Sequence, residues 1–129
     1  VKGATVTLDR CSIICFAATK QSEQARKFYQ DVLDLRLIED TPVALVFDAN
    51  GTMLRIQKIQ DHRPVQHTVL GWQVGDIRSA VDNLSSKGIR FERYDGLPQD
   101  DRAIWQTPDN ALVAWFRDPD GNLLSLTQL

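Results

Sequence analysis

Side chains able to do chemistry are few in this chain, and they are scattered. Among 129 residues there are two cysteines, two histidines and three tryptophans. Cys11 and Cys15 fall on one segment read as a strand. A rise of roughly 3.3 Å per residue sets their Cα atoms about 13 Å apart, past the ~7 Å reach of a disulfide. Neither has a histidine beside it in sequence, so both are expected as reduced core fillers rather than nucleophiles. Arg55 can hold an anion through a bidentate guanidinium contact, or act as a salt-bridge partner or snorkelling side chain. His67 can be a general base or simply end a loop. Trp115 can offer a stacking face or pack. Trp105, alone in a polar stretch, is expected to dock as a pocket lid or an intermolecular contact, and Trp72 to pack beneath a helix. The Asp-Pro-Asp-Gly string at 118–121 resembles a calcium loop, but its spacing and the missing downstream Glu and flanking helices favour a turn.

That turn occurs twice. ALVFDANGTMLRIQ (44–57) and AWFRDPDGNLLSLT (114–127) superpose Gly51 on Gly121, Asp48 on Asp118 and Leu54 on Leu124, an offset of 70. Upstream, a strand-like run (11–18) before a helical stretch (21–33) matches a second pair (68–75, 76–87) at an offset of 55, with Ala25 over Ala80. The surplus of 15 residues in the second copy falls in 95–110, a Gly-, Pro- and Asp-rich segment that reads as a lid or binding loop. Each copy is a strand, a helix and three strands. The helices bury Ala25, Phe28, Val32 and Leu35 in the first copy, and Ile77, Ala80, Val81 and Leu84 in the second. Gly88 ends the second helix, whereas Asp34 stands where glycine would end the first. Strands follow near 36–39, 42–48 and 52–59, and near 89–94, 111–117 and 123–128.

Pro119 suits the second position of a type I turn, with Gly121 left-handed behind it, giving a three-residue loop with a bulge. Arg117 then pairs with Leu123, Trp115 with Ser125 and Val113 with Thr127. By the repeat, Phe47 pairs with Met53, Leu45 with Arg55 and Val43 with Gln57. Cross-strand partners share a face, so each list is one side of a sheet.

Composition removes several function classes. An apolar content of 43% in 129 residues is a single globular unit with a real core. The net charge is −2 and no long basic run occurs, so nucleic acid lacks its electrostatic footprint. No stretch approaches the roughly 20 apolar residues of a membrane span, and no signal peptide is expected before the domain, which points to the cytoplasm. The first residue is Val rather than Met, so the extreme N-terminus is expected to be processed or added.

The segments ARKFYQDVLDLRL, GWQVGDIRSAVDNLSSKGIRF and AWFRDPDGNLLSL, in this order and with the repeat, resemble the vicinal oxygen chelate superfamily of glyoxalases, extradiol dioxygenases and fosfomycin- and bleomycin-resistance proteins. The resemblance runs from Cys11 to Leu129. It implies an α+β fold of two tandem βαβββ modules, 11–59 and 68–128 of one 1–129 domain, whose curved mixed sheets surround a cavity. It also implies a homodimer, domain-swapped or not. Metal-using members place ligands at positions that fall here on Ile14, Arg55, Val69 and Ser125. None is a usual ligand, so the fold and the place of the cavity carry over, with no metal and no cofactor.

If those positions face inward, alternation adds Ser12 and Phe16 from the first strand and His67, Gly71 and Gln73 from its counterpart. The hairpins add Leu45 and Gln57, then Val113, Trp115, Arg117 and Thr127. This is an apolar pocket with a few polar groups, or else plain core. The ligand-binding set expected is Arg55, Gln57, His67, Trp105, Trp115, Arg117 and Ser125, with no catalytic residue assigned. The function expected is binding of a small anionic or aromatic molecule in the manner of bleomycin-resistance proteins. The alternative is a lyase or isomerase of the same superfamily, metal-free or with displaced ligands.

Overall fold

The computed structural model describes residues 6–129; residues 1–5, which include the N-terminus expected to be processed or added, lie outside the described residues. After a single 3-10 turn (Leu8–Arg10) the order is β1 (Ile14–Thr19), α1 (Ser22–Lys27), β2 (Arg36–Asp40), β3 (Ala44–Ala49) and β4 (Thr52–Lys58). The second half follows as β5 (Thr68–Gln73), α2 (Ile77–Ser86), β6 (Trp105–Gln106), β7 (Leu112–Arg117) and β8 (Leu123–Gln128). Two four-stranded mixed sheets result, β1-β4-β3-β2 and β5-β8-β7-β6. In each, the first strand runs parallel to the last and the remaining pairs are antiparallel. The architecture is α+β, one βαβββ unit per sheet, and the units touch along β1 and β5.

Both helices pack on one face of this arrangement and share one core. Ala25 and Phe28 of the first helical stripe are buried, with Val32 and Leu35 partly so, and Ile77, Val81 and Leu84 of the second are buried with Ala80 against them. The sheets meet them with Leu45, Phe47, Leu54 and Ile56 from one unit and Ala114, Phe116, Leu124 and Leu126 from the other. Trp72 also packs against this core. Beyond Lys27 the first helix widens into a π-helical turn (Phe28–Val32), which turns both Phe28 and Tyr29 inward.

Helix ends follow their sequence signals. Asp76 caps α2 by accepting from Ser79 N at 3.2 Å. At its other end Gly88 is left-handed (φ 96), with Gly88 N bonded to Ser85 O and Ile89 N to Leu84 O, the Schellman pattern. Asp34 takes the same left-handed geometry (φ 60) without being glycine. Lys87 from the other unit supports it, its Nζ donating to Asp34 Oδ2 at 2.6 Å and to Val32 O at 3.1 Å.

The structure corrects four expectations. The first hairpin does not copy the second: Asn50 (φ 52) and Gly51 (φ 91) form a two-residue turn, and the ladder runs Phe47↔Leu54, Val46↔Arg55, Leu45↔Ile56 and Ala44↔Gln57. The reason is local. Pro119 locks φ near −65° and enforces the bulged turn, while the first copy has Ala49 there and its Asn-Gly pair takes the turn that matches strand twist. Leu45 consequently faces the helices as core and not the face that carries Arg55. Second, residues 89–94 do not form a strand. They make one ladder-like bond, Glu92 N to Trp115 O at 2.8 Å, and the edge strand resumes only at β6. Third, Cys11 is exposed beside the 3-10 turn and is no core filler, while Cys15 packs against the core. Fourth, Ser12 is exposed and precedes β1.

Candidate functional site

Opposite the helices each sheet presents a second face, and the cross-strand registers show what stands on it. In the first unit one row is Val46, Arg55 and Phe16, flanked by Ala44, Gln57 and Ala18 on one side and Asp48, Met53 and Ile14 on the other. In the second unit the matching row is Gly71, Ser125 and Trp115, followed by Gln73, Thr127 and Val113. Arg55, Gln57, Trp115, Arg117 and Ser125 therefore occupy this helix-free face. Trp105 joins them by pairing with Val113.

The two rows differ in chemistry. On the first sheet Arg55 is half-buried between an aromatic and a branched aliphatic neighbour, and among the described residues it makes no ion pair or hydrogen bond. Ile14, Phe16 and Met53 around it are 45%, 49% and 41% exposed, so the guanidinium sits among partly exposed apolar side chains. On the second sheet the indoles of Trp105 and Trp115 stack at 6.1 Å and 27°, and Tyr94 meets Trp115 edge-on at 5.5 Å and 86°. Burial raises the Tyr94 phenol pKa, and Glu92 adds to the effect while Arg117 opposes it. Ser125 is buried directly over Gly71, where a Cβ would come within 2.7 Å of Oγ, so the glycine makes room for the hydroxyl.

Two of the expected ligand residues are placed differently. Arg117 is already engaged, its Nε donating to Glu92 Oε1 at 2.5 Å and a terminal nitrogen to Gly121 O at 2.8 Å. Its charge is met from residues 89–94, which pass beside β7 and lie far from it in sequence. His67 is exposed, with no hydrogen bond among the described residues. The surplus segment is ordered around Gln99, whose Nε2 donates to Glu92 O and Ala103 O and whose Oε1 accepts from Tyr94 N. This holds Tyr94 against Trp115. Residues 95–104 thus interrupt the edge strand and return as the strand that carries Trp105.

Sequence reasoning missed Tyr29, Glu92 and His62. Tyr29 is fully buried and donates to Asp118 Oδ2 at 2.7 Å. The signal was available, because Tyr29 adjoins the apolar stripe and Asp118 heads the repeated turn. His62, in the connector between the units, lies 2.7 Å from Asn122 Oδ1, and no periodicity marks it.

A divalent cation does not suit this face. Ile14 and Val69 have no donor atom, Arg55 is cationic, and Ser125 offers one neutral oxygen. No group of three or more His, Cys, Asp or Glu that could hold a metal occurs among the described residues. Nor is any helix among them long and apolar enough to cross a membrane.

A family model described as Glyoxalase/Bleomycin resistance protein/Dioxygenase superfamily matches residues 8–126. No curated protein matches the sequence significantly. Among solved structures, an integron cassette protein from the mobile metagenome of the Halifax Harbour sewage outfall is similar at TM-score 0.72 and 21% identity, covering 93% of this chain and 99% of that one. Lactoylglutathione lyase from Agrobacterium tumefaciens is similar at TM-score 0.71 and 17% identity, with 92% and 93% covered. A glyoxalase/bleomycin resistance protein/dioxygenase superfamily member from Sphaerobacter thermophilus is similar at TM-score 0.70 and 20% identity, with 92% and 98% covered. At these identities the likeness is one of fold.

Proposed function

This chain belongs to the glyoxalase/bleomycin resistance protein/dioxygenase superfamily, and from that premise we propose that it is a metal-free binding protein for a small organic anion, held on the helix-free face. The observation that carries the reading is Arg55, a guanidinium without a partner among the described residues, set between Phe16 and Val46. A charge beside apolar side chains is poorly solvated, and an anionic ligand offers it a charge-assisted, bidentate contact. The Trp105–Trp115 stack with Tyr94 supplies a flat apolar surface for the rest of the ligand. Among the described residues the carboxylates beside this face, Glu92 and Asp48, are engaged by Arg117 and Arg36, so binding is favoured over lyase or isomerase chemistry.

We further propose a homodimer. Ile14 and Met53 are 45% and 41% exposed at one margin of this face, and a second copy of the chain would remove that area from water. A screen of small carboxylates, phosphates and aromatic compounds by tryptophan quenching tests the binding reading. Hits are expected to weaken about tenfold or more in Arg55→Met at unchanged melting temperature, the size of a charge-assisted contact. Hits indifferent to Arg55 would overturn it.

A further inference from the structure

The connector between the two units, residues 59–67, is pinned at two points. His62 Nε2 lies 2.7 Å from Asn122 Oδ1. Asn122 Nδ2 donates to Ala18 O at 2.9 Å and Asp118 Oδ2 at 2.7 Å, so its amide orientation is fixed and Oδ1 must accept. The hydrogen therefore sits on His62 Nε2. Nδ1 is left bare in the neutral ring and becomes a second donor when the ring is protonated. Pro64 is the other pin, packed so closely on Gly121 that a Cβ there would lie 3.2 Å from Pro64 Cγ.

Held this way, the connector closes one side of a pocket of about 250 Å³ where β1 and β5 meet. Its larger apolar lining side chains are Phe16, Val65 and Val69, which are 49%, 45% and 36% exposed. Its polar lining is Gln57, His62 and Arg63, together with Asn122, and no carboxylate is among the lining residues. Among the described residues the only ion-pair partner of Arg63 is Asp61, at 3.9 Å, with side chains 90% and 85% exposed. An exposed pair of that length contributes little, so the guanidinium is free to turn toward a better acceptor. The volume lies just under the roughly 300–1,000 Å³ of drug-sized sites, so the occupant is a fragment-sized molecule.

We propose that this pocket binds a small apolar carboxylic acid, its hydrocarbon body on Phe16, Val65 and Val69 and its carboxylate accepting from the Arg63 guanidinium and the Gln57 amide, with the His62 ring beside it. The proposal rests on the reading of the helix-free face as the ligand surface, because Phe16 and Gln57 belong to that face. It adds the connector as the element that selects a carboxylate.

Benzoate, its neutral isostere benzamide and inorganic phosphate are the probes, followed by imidazole NMR and titration calorimetry on the full chain. The chain has two histidines, and exposed His67, which is not among the pocket-lining residues, serves as internal reference. Benzoate is expected to shift the His62 ring and leave His67 unmoved, and to bind at least about tenfold more tightly than benzamide. Arg63→Gln, and Val65→Phe as a pocket filler, should each weaken benzoate by about tenfold while melting temperature stays constant. Equal binding of benzoate and benzamide, phosphate binding as tight as benzoate, or no change in either variant would overturn the assignment. A ligand from the quenching screen that depends on Arg55, alongside an unmoved His62, would sink this pocket and leave the proposed function standing. Silence of both tryptophans and His62 would remove both.

Discussion

Tyr29→Phe removes one oxygen from the centre of the molecule, and its cost can be worked out. Tyr29 is 0% exposed, and its hydroxyl donates at 2.7 Å to Asp118 Oδ2, tying the helix of the first unit to the last turn of the second. Asp118 accepts three more bonds, from Asp120 N and Asn122 N on Oδ1 and from Asn122 Nδ2 on Oδ2. Burial, with the nearby carboxylates, holds the Tyr29 phenol well above its usual range, so the proton stays on tyrosine. A hydrogen bond to a charged group contributes roughly 1.5–3 kcal/mol. With an unfolding entropy of about 2.1 cal/mol/K per residue, that loss lowers the melting temperature of a chain this size by about 5–11 °C.

The pH dependence of that loss has a definite sign. Burial raises the Asp118 pKa above its ordinary 3.8, and the bonds from Tyr29 and Asn122 pull it back. A raised carboxylate pKa means that its contribution to stability is fully present below 3.8 and is lost as pH rises through the folded value. Tyr29 reduces that loss by stabilising the ionised form. The Tyr29→Phe penalty is therefore larger at pH 7 than in acid, where Asp118 is protonated and the bond is neutral. Urea denaturation of both single variants and the double variant with Asp118→Asn, at pH 7 and near pH 3.5, measures this. A penalty below about 0.5 kcal/mol at pH 7, additivity in the cycle, or a penalty that grows on acidification would refute the reasoning.

Three other outcomes are expected. Calorimetric titration with Zn²⁺, Ni²⁺, Mn²⁺ and Fe²⁺ should show no tight one-to-one binding; near-micromolar binding that Ser125→Ala abolishes would contradict the donor-set argument. Gly121→Ala should destabilise more than Gly51→Ala, because both glycines are left-handed (φ 86 and φ 91) but only Gly121 has Pro64 against the added Cβ, and equal losses of about 1–2 kcal/mol would deny that contact. Met53→Glu should convert a dimer to monomer in sedimentation velocity, whereas a wild-type monomer at tens of micromolar would remove the dimer proposal.

Much of this fold was legible because period and turn chemistry act locally. Both helical stripes follow from spacing alone, and the β7–β8 register follows from Pro119 and Gly121, whose backbone preferences admit one turn. The first hairpin departs from the repeat because its own residues, not the copy's, set the turn. Ala49 permits what Pro119 forbids, and the one-residue slip moved Leu45 to the opposite face. Residues 89–94 have strand-like composition, but the surplus segment draws their partners away, a tertiary effect invisible in a window of six residues. On the helix-free face, Arg55 and Trp115 could be placed by alternation. The engagement of Arg117 by Glu92 could not, because it depends on where a loop passes.

The same asymmetry explains why two similar units do not make two similar sites. The second turn is bound to the first unit by Lys20 N to Asp120 Oδ1, Gln21 Nε2 to Pro119 O, Asn122 Nδ2 to Ala18 O and Tyr29 to Asp118. Among the described residues the first turn has only bonds within its own unit, Gly51 N to Asp48 Oδ1 and the Arg36–Asp48 pair at 3.8 Å, and stays exposed. One unit is thus clasped at its strand-to-helix junction while the other is left open there. The clasp fixes β1 against β5, and it also anchors His62 and Pro64 of the connector. The face whose charge comes from the first sheet and whose aromatic surface comes from the second is therefore held in one geometry by a clasp that meets it at Ala18 and Asn122. If the proposed ligand touches both sheets, its binding and the Tyr29–Asp118 bond should reinforce one another, so Tyr29→Phe should also weaken that ligand.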